Sequence, residues 1–204
     1  MTYPTKTFNL PVLTGISEKQ IQVHLALYAG YVKQVNLLAE TLKGYAAYGD
    51  TASDGDRFAI AELRRRFAFE FDGMRMHEYY FSQFEQGSTS LIEGGAFATA
   101  IVEKYGDQSL EAHVREVAGS RGIGWVVVYA DPIAHTLYTV FVNDHEMGGL
   151  VGLPVLLALD LWEHAYMVDY VPADKKNYID AFFANLNWGV IEKRFEVASQ
   201  MSAA

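Results

Sequence analysis

The sequence predicts an α+β fold: an N-terminal α-helical hairpin, then a mixed portion with a small three-stranded antiparallel sheet and helices. Three observations carry this. Two long segments before residue 86 repeat apolar side chains at helical spacing. Two runs rich in Val, Tyr and Thr flank Asp131-Pro132 and read as paired strands. A third apolar run ends abruptly at Asp160.

Ser17 reads as an N-cap, with Gln20 closing a capping box. Ile21, His24, Leu25, Tyr28, Val32 and Val35 then recur on one face, predicting a helix over residues 17–45. Residues 48–56, rich in Gly, Asp and Ser, read as a loop. A second helix follows over 57–84, carrying Ile60, Leu63, Phe67, Phe71, Met74, His77, Tyr80 and Phe81. This pair forms the first expected domain, residues 1–86. The second, residues 87–204, is expected to hold helices over 91–105 and 109–120 and strands over 124–130, 136–142 and 151–160. Closing helices are expected over 178–186 and 188–198.

With 50% apolar and 14% aromatic residues, disorder is excluded as a reading. A net charge of -9 argues against a nucleic-acid partner. The absence of cysteine removes disulfides, iron–sulfur clusters, thiolate zinc sites and cysteine nucleophiles together. The first residues, Met1 to Lys6, show no apolar signal region. The longest apolar run, Gly149 to Leu159, is broken by Pro154 and is shorter than the ~20 residues a membrane helix needs. A cytoplasmic protein with no membrane partner is expected.

The richest chemistry lies at Asp160-Leu161-Trp162-Glu163-His164-Ala165-Tyr166. An apolar strand that ends in Asp160 and His164 places costly polar groups at a core boundary, and a metal ion would compensate them. His24 and His77 lie on the apolar faces of the two long helices. Three imidazoles and a carboxylate suit iron, manganese or zinc. His113 and His135 read as surface residues, and periodicity leaves loop-borne His145 undecided. Other motifs fail: His77-Glu78 lacks the second histidine of a zincin, and no Glu-x-x-His pair of a di-iron bundle is present. The glycines of residues 119–124 precede a strand instead of following one, so no phosphate cradle is expected. Arg64-Arg65-Arg66 reads as a solvated helix face paired with nearby glutamates.

The Asp160–Tyr166 segment closely resembles the metal-binding segment of the iron/manganese superoxide dismutases. Supporting it in order along nearly the whole chain are Phe8-Asn9-Leu10-Pro11, residues 16–32 with His24, His77-Glu78-Tyr79-Tyr80-Phe81, Gly122-Ile123-Gly124-Trp125 and Asn187-Trp188. The resemblance implies one iron or manganese ion per subunit, held by His24, His77, Asp160 and His164, and turnover of superoxide to dioxygen and hydrogen peroxide. It implies Tyr31 as a gateway residue, Trp125 and Trp162 as an aromatic wall, and His145 as the group contacting metal-bound solvent. It further implies a homodimer or tetramer in which Glu163 reaches a second copy's His164. The competing readings are a different mononuclear metal redox enzyme and a non-catalytic scaffold on the same fold.

Several residues depart from the family pattern. Gly73 stands where iron-type members carry a helix-borne glutamine, and His145 stands where manganese-type members carry one on the loop. The His24–Tyr31 spacing is one residue short, so either the helix is irregular or Tyr31 is displaced and Tyr28 takes part of its role. Tyr28 and Ala29 replace the family's extra histidines in this stretch, Met167 replaces a tyrosine and Phe81 a tryptophan. An acidic protein attracting an anion needs a local basic funnel, for which Lys175, Lys176 and Arg75 are the candidates.

Overall fold

The computed structural model describes residues 2–201; Met1 of the N-terminal stretch considered above lies outside them. The N-terminal helices are α1 (Glu18–Ala46) and α2 (Asp54–Ser82). Then follow α3 (Ala96–Tyr105), α4 (Leu110–Ala118), β1 (Gly124–Asp131), β2 (Thr136–Asn143), β3 (Val155–Asp160), α5 (Lys175–Asn185) and α6 (Trp188–Gln200). The α+β architecture is as the sequence predicts. Among the described residues no helix is long and apolar enough to cross a membrane.

Ser17 caps α1 by accepting the Gln20 amide N–H at 3.0 Å. Gln20 does not close the predicted box. Its side chain donates to His164 O at 2.7 Å and accepts from Val168 N at 2.9 Å, so it ties α1 to the segment after β3. The reciprocal box belongs to α2, where Ser53 and Asp56 satisfy each other's backbone donors and start the helix three residues before the predicted Arg57.

Two other starts were placed too early. Gly94 (φ 70°) and Gly95 delay α3 to Ala96. Gly152 (φ 82°) turns residues 151–153 away from the sheet and Pro154 offers β1 only its carbonyl, accepting from Ala130 N at 3.0 Å, so β3 begins at Val155. The next helix begins earlier than predicted, at Lys175, because a short 3₁₀ turn over Pro172–Asp174 leads into it.

The sheet order is β2-β1-β3, antiparallel throughout. Central β1 is buried along nearly its whole length, since α4 and α6 also pack on it, and its Val run reflects burial on both faces. Trp125 pairs with Asp160 across the β1–β3 ladder, so the two side chains share a face. That face meets α2, whose Tyr80 and Phe81, with Phe84 just past the helix end, pack with Phe182 of α5 into a fully buried aromatic core.

Among the described residues the outer edge of β3 has no neighbouring strand. Buried Gln83 takes that place: its amide donates to Ala158 O at 2.6 Å and accepts from Ala158 N at 3.3 Å. Arg194 of α6 donates to Leu156 O at 2.6 Å and also holds Tyr79 O and Ser82 Oγ. Burial lowers its guanidinium pKa to about 10, so it stays charged at neutral pH.

Candidate metal centre

α1 carries His24 and α2 carries His77, facing each other with ring centroids 4.9 Å apart. The end of β3 brings Asp160, and the turn over Glu163–Ala165 brings His164. One potential ligand atom from each of the four lies within 4.8 Å of the others. Asp160 Oδ2 is the hub, at 3.1 Å from His24 Nε2, 3.3 Å from His164 Nε2 and 3.7 Å from His77 Nε2. Its Oδ1 accepts the Trp162 backbone N–H at 2.8 Å, and the Tyr178 hydroxyl donates to its carbonyl at 2.8 Å. The first bond holds the carboxylate and the second the backbone that carries it.

The tautomers follow from the partners. His77 Nδ1 lies 2.6 Å from Gly73 O, which can only accept, so Nδ1 carries the hydrogen and Nε2 a lone pair. That Nε2 is buried with no hydrogen-bond partner among the described residues, as is Nδ1 of His24. Burial pushes the His24 imidazole pKa down and that of His77 well down, so both are neutral at neutral pH. Burial alone would raise Asp160, but His164 and His24 outweigh it and hold the carboxyl well below the usual range. A buried anion beside the two neutral imidazoles of His24 and His77, with a lone pair unused, fits a bound cation.

Beside the cluster, His145 is only 3% exposed, which decides the position periodicity left open. The indole Nε1 of Trp125 donates to His145 Nδ1 at 2.9 Å. His145 Nε2 therefore carries the hydrogen and donates to Tyr31 Oη, also at 2.9 Å. Burial lowers the imidazole pKa to about 4 and pushes the Tyr31 phenol well above its ordinary value. Trp162 stacks on both His145 and His164, with interplanar angles of 26° and 20°.

Tyr31 reaches the site without any break in α1, because seven residues turn a helix to within about 20° of the same face. Tyr28 turns elsewhere, donating to Glu78 Oε1 at 3.2 Å and accepting from Lys6 N at 3.0 Å. Glu163 is exposed, and its side chain makes no hydrogen bond or ion pair among the described residues.

Of the basic candidates, Lys175 is spent on Ser120 O and Arg75 on Glu78, while Lys176 is exposed. The Arg65–Glu62 and Arg66–Glu70 pairs form as expected, but Arg66 also lies 4.1 Å above the Phe69 ring, which touches His145. The sequence reading assigned Gln20 a different role, in a capping box, and offered no sign of Gln83. Gln20 lies on the buried face of α1 one turn before His24, and Gln83 is the buried C-cap of α2.

Three imidazoles and one carboxylate converging where the helical pair meets the sheet define a metal-binding protein of nitrogen and oxygen donors. The profile of the family described as iron/manganese superoxide dismutases, C-terminal domain, matches residues 93–194. An iron superoxide dismutase of Aquifex pyrophilus is 32% identical over 187 residues, covering 91% of this chain and 87% of that one. One of Cupriavidus metallidurans is 34% identical, covering 91% of each. A manganese superoxide dismutase of Halobacterium salinarum is 31% identical, covering 87% of this chain and 84% of its own. The chain belongs to the iron/manganese superoxide dismutase family.

Proposed function

We propose that the protein is a superoxide dismutase using one iron or manganese ion per subunit, taking two superoxide anions and two protons to dioxygen and hydrogen peroxide. The observation that carries this is the convergence of four ligand atoms within 4.8 Å around an unpartnered imidazole lone pair, in a chain of this family. His24, His77, Asp160 and His164 would hold the ion. The bound ion supplies one-electron chemistry by alternating between trivalent and divalent states. Both iron and manganese relatives match at similar identity, so the donor set is read as accepting either.

The chain's own groups do the rest. Trp125 and Trp162 wall the cluster and exclude bulk water, which strengthens electrostatics inside. Trp125 fixes the His145 tautomer, and His145 commits its single N–H to Tyr31. The Tyr31 oxygen is thus held as an acceptor while its own hydrogen stays free to donate. Burial keeps that phenol protonated, so Tyr31 Oη can hold a proton at the rim. This refines the family-based expectation for His145: its geometry supports orienting Tyr31 more directly than touching solvent. Glu163, exposed and unpaired, supports a homodimer in which it bonds a second copy's His164.

The test is elemental analysis and a superoxide assay on separately iron-loaded and manganese-loaded protein. About one ion per chain and rapid dismutation with at least one metal are expected. Metal without dismutation would favour a different redox enzyme, and no metal a scaffold.

A further inference from the structure

Gly73 lies inside α2, where glycine weakens a helix and nothing in its backbone demands one, since it is absent from the positive-φ residues. Its reason is space. A Cβ built there would meet Tyr31 Cδ1 and Cε1 at 2.7 Å and Cγ at 3.2 Å, closer than packed carbons approach. These are atoms of the ring itself, not the end of a flexible chain. The ring cannot swing away cheaply: its hydroxyl receives the His145 N–H at 2.9 Å, and its face packs on His77 with centroids 5.1 Å apart.

We propose that Gly73 is a positioning residue, a notch in α2 that seats the Tyr31 ring and so holds the Tyr31 hydroxyl against His145. The notch excludes every side chain at this position while Tyr31 keeps its place, a helix-borne glutamine included. Gly73 O meanwhile accepts the His77 Nδ1–H, so this one residue adjoins both a candidate ligand and the hydrogen-bonded chain beside it. The packing claim stands on geometry alone; only its catalytic consequence rests on the dismutase reading.

A double-mutant cycle in the metal-loaded protein tests it by thermal unfolding. Gly73→Ala should lower Tm by about 5 °C or more in the native and Tyr31→Phe backgrounds, because Phe keeps the clashing ring carbons. In the Tyr31→Ala background the same change should leave Tm unchanged or raise it. A crystal structure of the Gly73→Ala protein should show Tyr31 Oη withdrawn beyond 3.5 Å from His145 Nε2, which a merely helix-stiffening role would not produce. If Gly73→Ala alone does not fold, recovery of folding in Gly73→Ala/Tyr31→Ala carries the same support. Equal effects in all three backgrounds, failure of both variants to fold, or an unmoved Tyr31 would overturn the proposal. A cycle that behaves as expected in a protein without dismutase activity would sink the functional reading and leave the notch standing.

Discussion

Neighbouring residues on α2 serve two buried acid clusters that are built in opposite ways. His77 faces Asp160, which is surrounded by imidazoles and has no lysine or arginine partner among the described residues. Glu78 faces the other way and is clamped by Lys6 Nζ at 2.7 Å, Arg75 Nη1 at 2.8 Å and the Tyr28 hydroxyl at 3.2 Å. The Glu78 cluster is complete within the chain, since two permanent cations answer one anion. The Asp160 cluster is not, because two of its imidazoles are neutral by burial. Burial thus has two meanings: a carboxylate with fixed cations braces the fold, and one beside unused imidazole lone pairs suits a cation.

The sharpest way to break that comparison is to remove each acid in turn. Asp160→Ala should weaken metal binding by more than about 100-fold, read as metal content after dialysis against chelator. Glu78→Gln should retain full metal content. Were the two to lose metal alike, the distinction would collapse.

A second test uses pH on the metal-free protein. His145 titrates near 4 in the fold against about 6.5 when unfolded, and His24 and His77 are shifted in the same direction. The unfolded chain binds more protons in this window, so stability is full above about pH 6.5 and falls as pH drops toward 4. The His145 share alone comes to about 3 kcal/mol. Urea titrations across pH 4–7 should show the slope, and His145→Gln should flatten it partly; a flat profile in the parent protein would remove the neutral-imidazole premise.

Smaller effects separate bracing from binding. Glu78→Gln should cost about 1–3 kcal/mol in urea unfolding, because Lys6 and Arg75 can turn to water once freed. Lys6→Ala should cost under about 1 kcal/mol, as that lysine is half exposed and Arg75 remains. A larger loss for Lys6 than for Glu78 would invert the ranking.

The helical pair and its histidines were legible because periodicity reports which face is buried, and His24 and His77 sit squarely on those faces. Asp160 and His164 were legible because polarity begins where an apolar strand stops. His145 was undecided by periodicity and entered only through the family resemblance, since a loop residue's burial is decided by what folds over it, here Trp125, Trp162 and Phe69. Gln20 misled for a related reason. Its spacing from Ser17 suits a cap, yet two backbone partners 144 and 148 residues away engage its amide instead. The strand start at Val155 was hidden because Val151 and Leu153 are as apolar as the strand, and only the turn at Gly152 separates them.

The Gln83 amide and the Arg194 guanidinium on β3 have a consequence beyond this fold's interior. An edge strand with open donors and acceptors is a template on which another chain can lay its own strand, the first step toward aggregation. Side chains occupy those groups at Ala158 and Leu156, so the strand that ends in Asp160 is closed to such growth. A Gln83→Ala protein would expose that template, and faster self-association at high concentration would be its signature.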